Sequence, residues 1–134
     1  MKITITRKKN RDIIIGITLM ALFLTSGKIF AKESDAKQLF NNIEQISIAT
    51  KMIEDKKYKE ATDILNSIQD VNFYYTKNQH LGDIAYLNKN YDEALSFYSL
   101  AQFHAKDKVM HDYMSKKMAY IVTVKKQNEY NVEK

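Results

Sequence analysis

The stretch Leu81–Ala101 reads LGDIAYLNKNYDEALSFYSLA, and its periodicity predicts two helices folded back on each other. Leu81, Ile84 and Ala85 share one face of the first helix. In the second, Tyr91, Ala94, Leu95, Tyr98 and Ala101 recur at spacings of three and four, the pattern of an amphipathic helix. The reversal falls at Leu87–Asn90, and Asn90 followed by Glu93 approximates a capping box that starts the second helix. Gly82, Ala94 and Ala101 are small enough for two helix axes to approach closely there. A hairpin of this size leaves an apolar face uncovered, so the neighbouring chain must stack on it.

The same pattern stands 33 residues earlier. Tyr58-Lys59-Glu60-Ala61, then Leu65, matches Tyr91-Asp92-Glu93-Ala94, then Tyr98, and Ile48-Ala49 matches Leu81-Gly82 at the same offset. Leu81-Gly82 followed by Ala94-x3-Tyr98 resembles the tetratricopeptide repeat, a helix–turn–helix unit of about 34 residues with L-G in its first helix and A-x3-F in its second. The resemblance covers about Asp35 to Ala105. It departs from the pattern at Asn78, where the family has Trp, at Ala85, where it has Tyr, and in the lack of any proline. It implies an all-α fold of two tetratricopeptide-like units, a fragment of a right-handed α–α superhelix.

The pattern along the rest of the chain agrees. Helices are expected over about Ala36–Glu54, Tyr58–Gln69 and Val71–Leu87, with Asp70 opening the third and a turn at Asp55-Lys56-Lys57. The apolar face of the first carries Leu39, Phe40, Ile43, Ile46, Ala49, Met52 and Ile53. After the central hairpin, Asp107 opens a fifth helix to about Gln127, with the stripe Val109, Met110, Tyr113, Met114, Met118, Ile121 and Val124. That helix has a polar outer face and closes the array. The body is then residues 32–127, followed by a polar tail, 128–134, expected to fray.

The 134 residues contain no proline, no cysteine and three glycines. This composition favours helices and excludes disulfides, a thiol nucleophile and a cysteine-linked lipid anchor. The formal charge of +5 is misleading. Lys2, Arg7, Lys8, Lys9 and Arg11 face only Asp12 in the first 27 residues, and 16 basic and 15 acidic groups remain from Lys28 onward. The body has no net field for nucleic acid. The basic cluster precedes an uncharged run, Ile13–Gly27, short for a membrane span but suited to a signal-peptide core. Residues 1–31 are therefore expected to be a signal peptide, cut before Lys28 or Lys32, with an uncleaved inner-membrane anchor as the alternative. Either way the body lies outside the inner membrane, in the periplasm or secreted.

Chemical motifs are sparse. His104, Asp107 and His111 would share one side of a continuous helix and suit zinc, which keeps a small metal-binding protein or enzyme as an alternative. The expected turn at Lys106–Asp107 breaks that side, however, and Asp107 serves better as a cap. The sequence holds no nucleophile elbow, phosphate loop or H-E-x-x-H, so neither catalysis nor a cofactor is expected. His80 stands alone and reads as a surface or packing residue. The methionines of the fifth helix lie at core spacing, with an adaptable Met-rich groove as the lesser reading.

The resemblance also implies a binding face. Tetratricopeptide arrays hold a peptide or helix in a concave surface lined by the first helix of each unit. Carried onto this chain, that surface takes Thr50 from the first unit, Gln79, Asp83 and Tyr86 from the second, and Tyr113, Lys117 and Tyr120 from the fifth helix. Rigid tyrosines supply contact area at low entropic cost, and Lys117 could hold a carboxylate. The same positions also read as solvated or as packing between helices. The expected function is a non-catalytic interaction or scaffold module of the cell envelope, with a protein or peptide partner or a second copy. A membrane-held structural subunit is a further alternative.

Overall fold

The computed structural model describes residues 32–132, and every regular element among them is helical. Residues 32–54 form α1. Then follow α2 (Tyr58–Ser67), a 3-10 turn (Val71–Phe73), α3 (Tyr74–Leu87), α4 (Tyr91–Phe103) and α5 (Lys108–Val132). Contacts divide the chain into Met1–Phe40 and Asn41–Lys134. The second unit contains the paired helices, and it is all-α and tetratricopeptide-like: α1 with α2, α3 with α4, and α5 as the closing helix. The apolar run Ile13–Gly27 and both expected cleavage points lie outside the described residues.

The repeat extends to the backbone. Lys56 and Lys89, 33 positions apart, have φ of 60° and 64°, the left-handed region that glycine usually fills after a helix. Around them the hydrogen bonds correspond. Lys56 N–H donates to Ile53 O and Lys57 N–H to Met52 O, while Lys89 N–H donates to Tyr86 O and Asn90 N–H to Ala85 O. Both sets are Schellman motifs, which satisfy the last carbonyls of the first helix and turn the chain into the second. Asn90 does not cap α4 through its side chain, contrary to the capping-box expectation. Its amide instead reaches Glu93 Oε2 at 3.3 Å, because the Schellman backbone already sets the reversal.

Two buried clusters follow from the pairing. Ala49, Ala61, Leu65, Leu81 and Ile84 form the first, and Tyr75, Ala85, Ala94, Tyr98, Ala101, Met114 and Ile121 the second. Phe97, half-buried on α4, packs against both. Ala61 and Ala94, matching positions of the repeat, are fully buried. Gly82 and Tyr98 bring α3 and α4 together: a Cβ at residue 82 would lie 2.5 Å from Tyr98 Cε1. Met114 is fully buried, and Met110 and Met118 pack against the second cluster, so the α5 methionines are core.

Several edges differ from expectation. Asp70 caps the 3-10 turn by accepting from Asn72 N–H at 3.0 Å, and α3 begins only at Tyr74. Asp107 caps α5 as expected, accepting from Met110 N–H at 2.8 Å. The α5 helix passes Gln127 and runs to Val132, and Asn128 donates to Tyr91 Oη at 3.1 Å. Val109, expected on the apolar stripe of α5, is exposed. Ile43 and Ile48 are exposed too, although Leu81, which matches Ile48, is buried. Within the unit no helix pair precedes α1 to cover that position. Asn78, where the family has Trp, is buried and donates to Tyr74 O at 2.7 Å, so its polar group is satisfied within its own helix.

Candidate functional site

The first helices of successive units, α1, α3 and α5, carry a connected row of polar side chains. Its centre is Asp83. Oδ1 accepts from Tyr98 Oη and from Lys117 Nζ, each at 2.5 Å. The Lys117 ammonium also lies 5.1 Å from the Tyr98 ring centroid and 5.4 Å from that of Tyr113, within cation–π range. On the other side His80 Nδ1 stands 3.9 Å from Asp83 Oδ2, and His80 Nε2 is 3.4 Å from Thr50 Oγ1. Thr50 in turn donates to Ile46 O. The row Thr50–His80–Asp83–Lys117 thus links three helices.

Burial sets the charges in it. It lowers the His80 pKa, Asp83 opposes that shift, and Lys117 reinforces it. His80 is therefore neutral near pH 7, and its approach to Asp83 is not an ion pair. Burial, then the hydrogen bond to Asp83, then that carboxylate's charge raise the Tyr98 pKa, so Tyr98 remains a donor across the ordinary pH range. Asp83 and Lys117 are both three-quarters covered. Their pairing answers the carboxylate with an ammonium and leaves Lys117 no longer available to anchor a partner's carboxylate.

Beside this row stands a group of tyrosines. Tyr86 of α3 and Tyr120 of α5 have ring centroids 6.1 Å apart, and Tyr86 Oη donates to Tyr120 Oη at 3.4 Å. That bond is the leading cause of a raised Tyr86 pKa. Tyr91 adds a third ring 6.0 Å from Tyr86. Tyr113 and Tyr120 are 46% and 59% exposed, each with one neighbour against its ring, Lys117 and Tyr86 respectively.

Of the seven residues expected on the concave face, six fall into these two groups: Thr50, Asp83 and Lys117 in the row, Tyr113 against Lys117, and Tyr86 with Tyr120. Gln79 is half-buried on α3 and makes no side-chain hydrogen bond among the described residues. His80 was not expected. Its signal was present in the sequence: it precedes Asp83 by three residues, the spacing that places two side chains on one face of a helix.

The His104, Asp107 and His111 arrangement does not form. His104 ends α4 and packs edge-on against Tyr74 and Phe103. Asp107 is the cap of α5, and His111 lies 3.7 Å from Asp112. Among the described residues no group of three or more His, Asp and Glu is placed to hold a metal ion. Nor is any helix among them long and apolar enough to cross a membrane. No family model, curated protein or solved structure matches the chain.

Proposed function

We propose that the chain is an exported tetratricopeptide-family protein acting as a non-catalytic interaction module of the cell envelope, with a peptide or helix of its partner held on the α3–α5 face. The observation that carries this reading is the pair of open tyrosines, Tyr113 and Tyr120, beside the internally neutralised Asp83–Lys117 pair. Large rings on a rigid helical frame give contact area with little conformational entropy to lose on binding. The N-terminal basic cluster and the run Ile13–Gly27 supply the export signal in this reading.

A pull-down from envelope extracts tests it, comparing the parent with a Tyr113→Ala/Tyr120→Ala variant. Tyr86 is left in place because it packs against the second buried cluster. The expected result is a partner captured by the parent and lost by the variant, with superimposable thermal melts. Equal capture by both proteins removes the face from consideration.

A further inference from the structure

We propose that His80 makes the joint between the α1–α2 pair and α3 sensitive to protons: mild acid releases that pair while α3, α4 and α5 stay fastened together. The device belongs to the helical frame and holds with or without a partner on the tyrosine face.

Hydrogen bonding fixes the tautomer of His80. The Thr50 hydroxyl gives its one proton to Ile46 O at 2.8 Å, so toward His80 it can only accept. His80 Nε2, 3.4 Å away, therefore carries the proton of the neutral imidazole, and Nδ1 carries a lone pair. That lone pair stands 3.9 Å from Asp83 Oδ2, acceptor against acceptor.

A proton arriving on Nδ1 meets poor company. The charged groups that face the ring are Asp83 of its own helix and Lys117 of α5, while α1 presents the neutral Thr50. Asp83 Oδ2 lies beyond hydrogen-bond distance, and Lys117 already answers that carboxylate through Oδ1. The imidazolium is then a second cation beside one carboxylate, on a side chain only 16% exposed. A covered charge without a hydrogen-bond partner is costly, and lifting α1 away from the ring returns it to water. Burial lowers the His80 pKa in the closed frame, so the opened form takes the proton more readily and falling pH favours opening.

The ties around α5 are of another kind. Lys117 holds Asp83, Lys125 holds Asp92 at 2.6 Å and Gln102 donates to Ser115 at 2.6 Å. None of these bonds involves a histidine. From α1 to α3 the polar link is the long Thr50–His80 contact itself. Lys77 adds a bond from α3 to Ile68 O, at the end of α2. The proton therefore acts on the joint with the weaker polar ties, and the α3–α5 ties do not depend on it.

Hydrogen exchange of the full chain at about pH 7.5 and about pH 5.5, with each amide rate divided by its intrinsic rate, tests this. The expected result is severalfold lower protection in α1 and α2 in acid, with α3, α4 and α5 unchanged. His80→Gln, which keeps a neutral side chain against Thr50, should abolish the difference, although His104 and His111 remain in that variant. A ring-proton NMR titration of the parent gives a second reading that stands even if the variant fails to fold. His80 should take up its proton below about pH 6.5, and amide signals of α1 should move with the same midpoint. Protection lost evenly over all five helices, no loss at all, or a response that persists in His80→Gln overturns the proposal. So does a His80 titration that α1 does not follow.

Discussion

Gly82 faces the ring of Tyr98 so closely that a methyl group on residue 82 would stand 2.5 Å from the ring edge. In the preceding unit the matching positions are Ala49 and Leu65, both fully buried in one cluster. Each unit fills the same space between its helices with a different division of volume: a methyl against an isobutyl group, or a hydrogen against a phenol. The phenol cannot easily withdraw, because Tyr98 is buried and bonded through its hydroxyl to Asp83.

Gly82→Ala should therefore destabilise the fold by about 1–3 kcal/mol through overpacking, even though alanine is the better helix former by about 1 kcal/mol. Adding Tyr98→Leu should recover part of that loss by reproducing the first unit's arrangement. Urea melts of the two single variants and the double variant measure the coupling. Additive losses would mean that the two sites do not share this space.

Ala61 and Ala94 occupy the corresponding position on the second helix of each unit and have no exposed surface. Replacing either by Leu should cost about 1–3 kcal/mol. A melt that overlays the parent for both variants would contradict the observed packing register.

Lys56 and Lys89 hold left-handed backbone conformations that carry a penalty of about 1–2 kcal/mol for a residue with a Cβ. Lys56→Gly and Lys89→Gly should each raise stability by roughly 0.5–1 kcal/mol, after allowing for the greater entropy of glycine in the unfolded chain. The check is a chemical melt, with equal gains expected at the two turns.

His80 gives a pH dependence of known sign. Its folded pKa lies below the ordinary value of 6.5, chiefly through burial. The unfolded chain therefore takes up the proton first as pH falls. Stability is fully present above about pH 6.5 and declines as pH drops through that value toward the folded pKa. His80→Gln should flatten the change in melting temperature between about pH 7.5 and about pH 5.5. An unchanged slope would assign the dependence to other groups.

The sequence was most informative where one residue type served one purpose. Alanine at matching positions 33 apart marked the close contacts of both units, and the tyrosine and leucine spacings marked the buried faces. Asp107 stood before an apolar stripe and does cap α5. Legibility failed where the answer depended on a neighbour. Ile48 and Leu81 match in type and register, yet among the described residues only Leu81 has a preceding helix pair over it. Asn90 had the composition of a cap, but the left-handed Lys89 before it had already set the turn. His80 gained its role only when Thr50 from α1 met its ring and Lys117 from α5 met Asp83. The three-residue spacing of His80 and Asp83 was legible, but the meetings with helices about 30 residues away have no local trace.

Phe97 touches the buried cluster of each unit, and that position bears on how the molecule comes apart. In a stack of helical pairs, each pair is held mainly by its neighbour, so the whole melts as one body only while the coupling between pairs exceeds the stability each lacks alone. A single aromatic ring shared by both interiors makes loosening on one side felt on the other. Phe97 thereby adds, from α4, to the coupling that Leu81 and Ile84 of α3 already make with the first pair. The α1–α2 end can open while the tyrosine face stays formed only if these α3 and α4 side chains let go of it together.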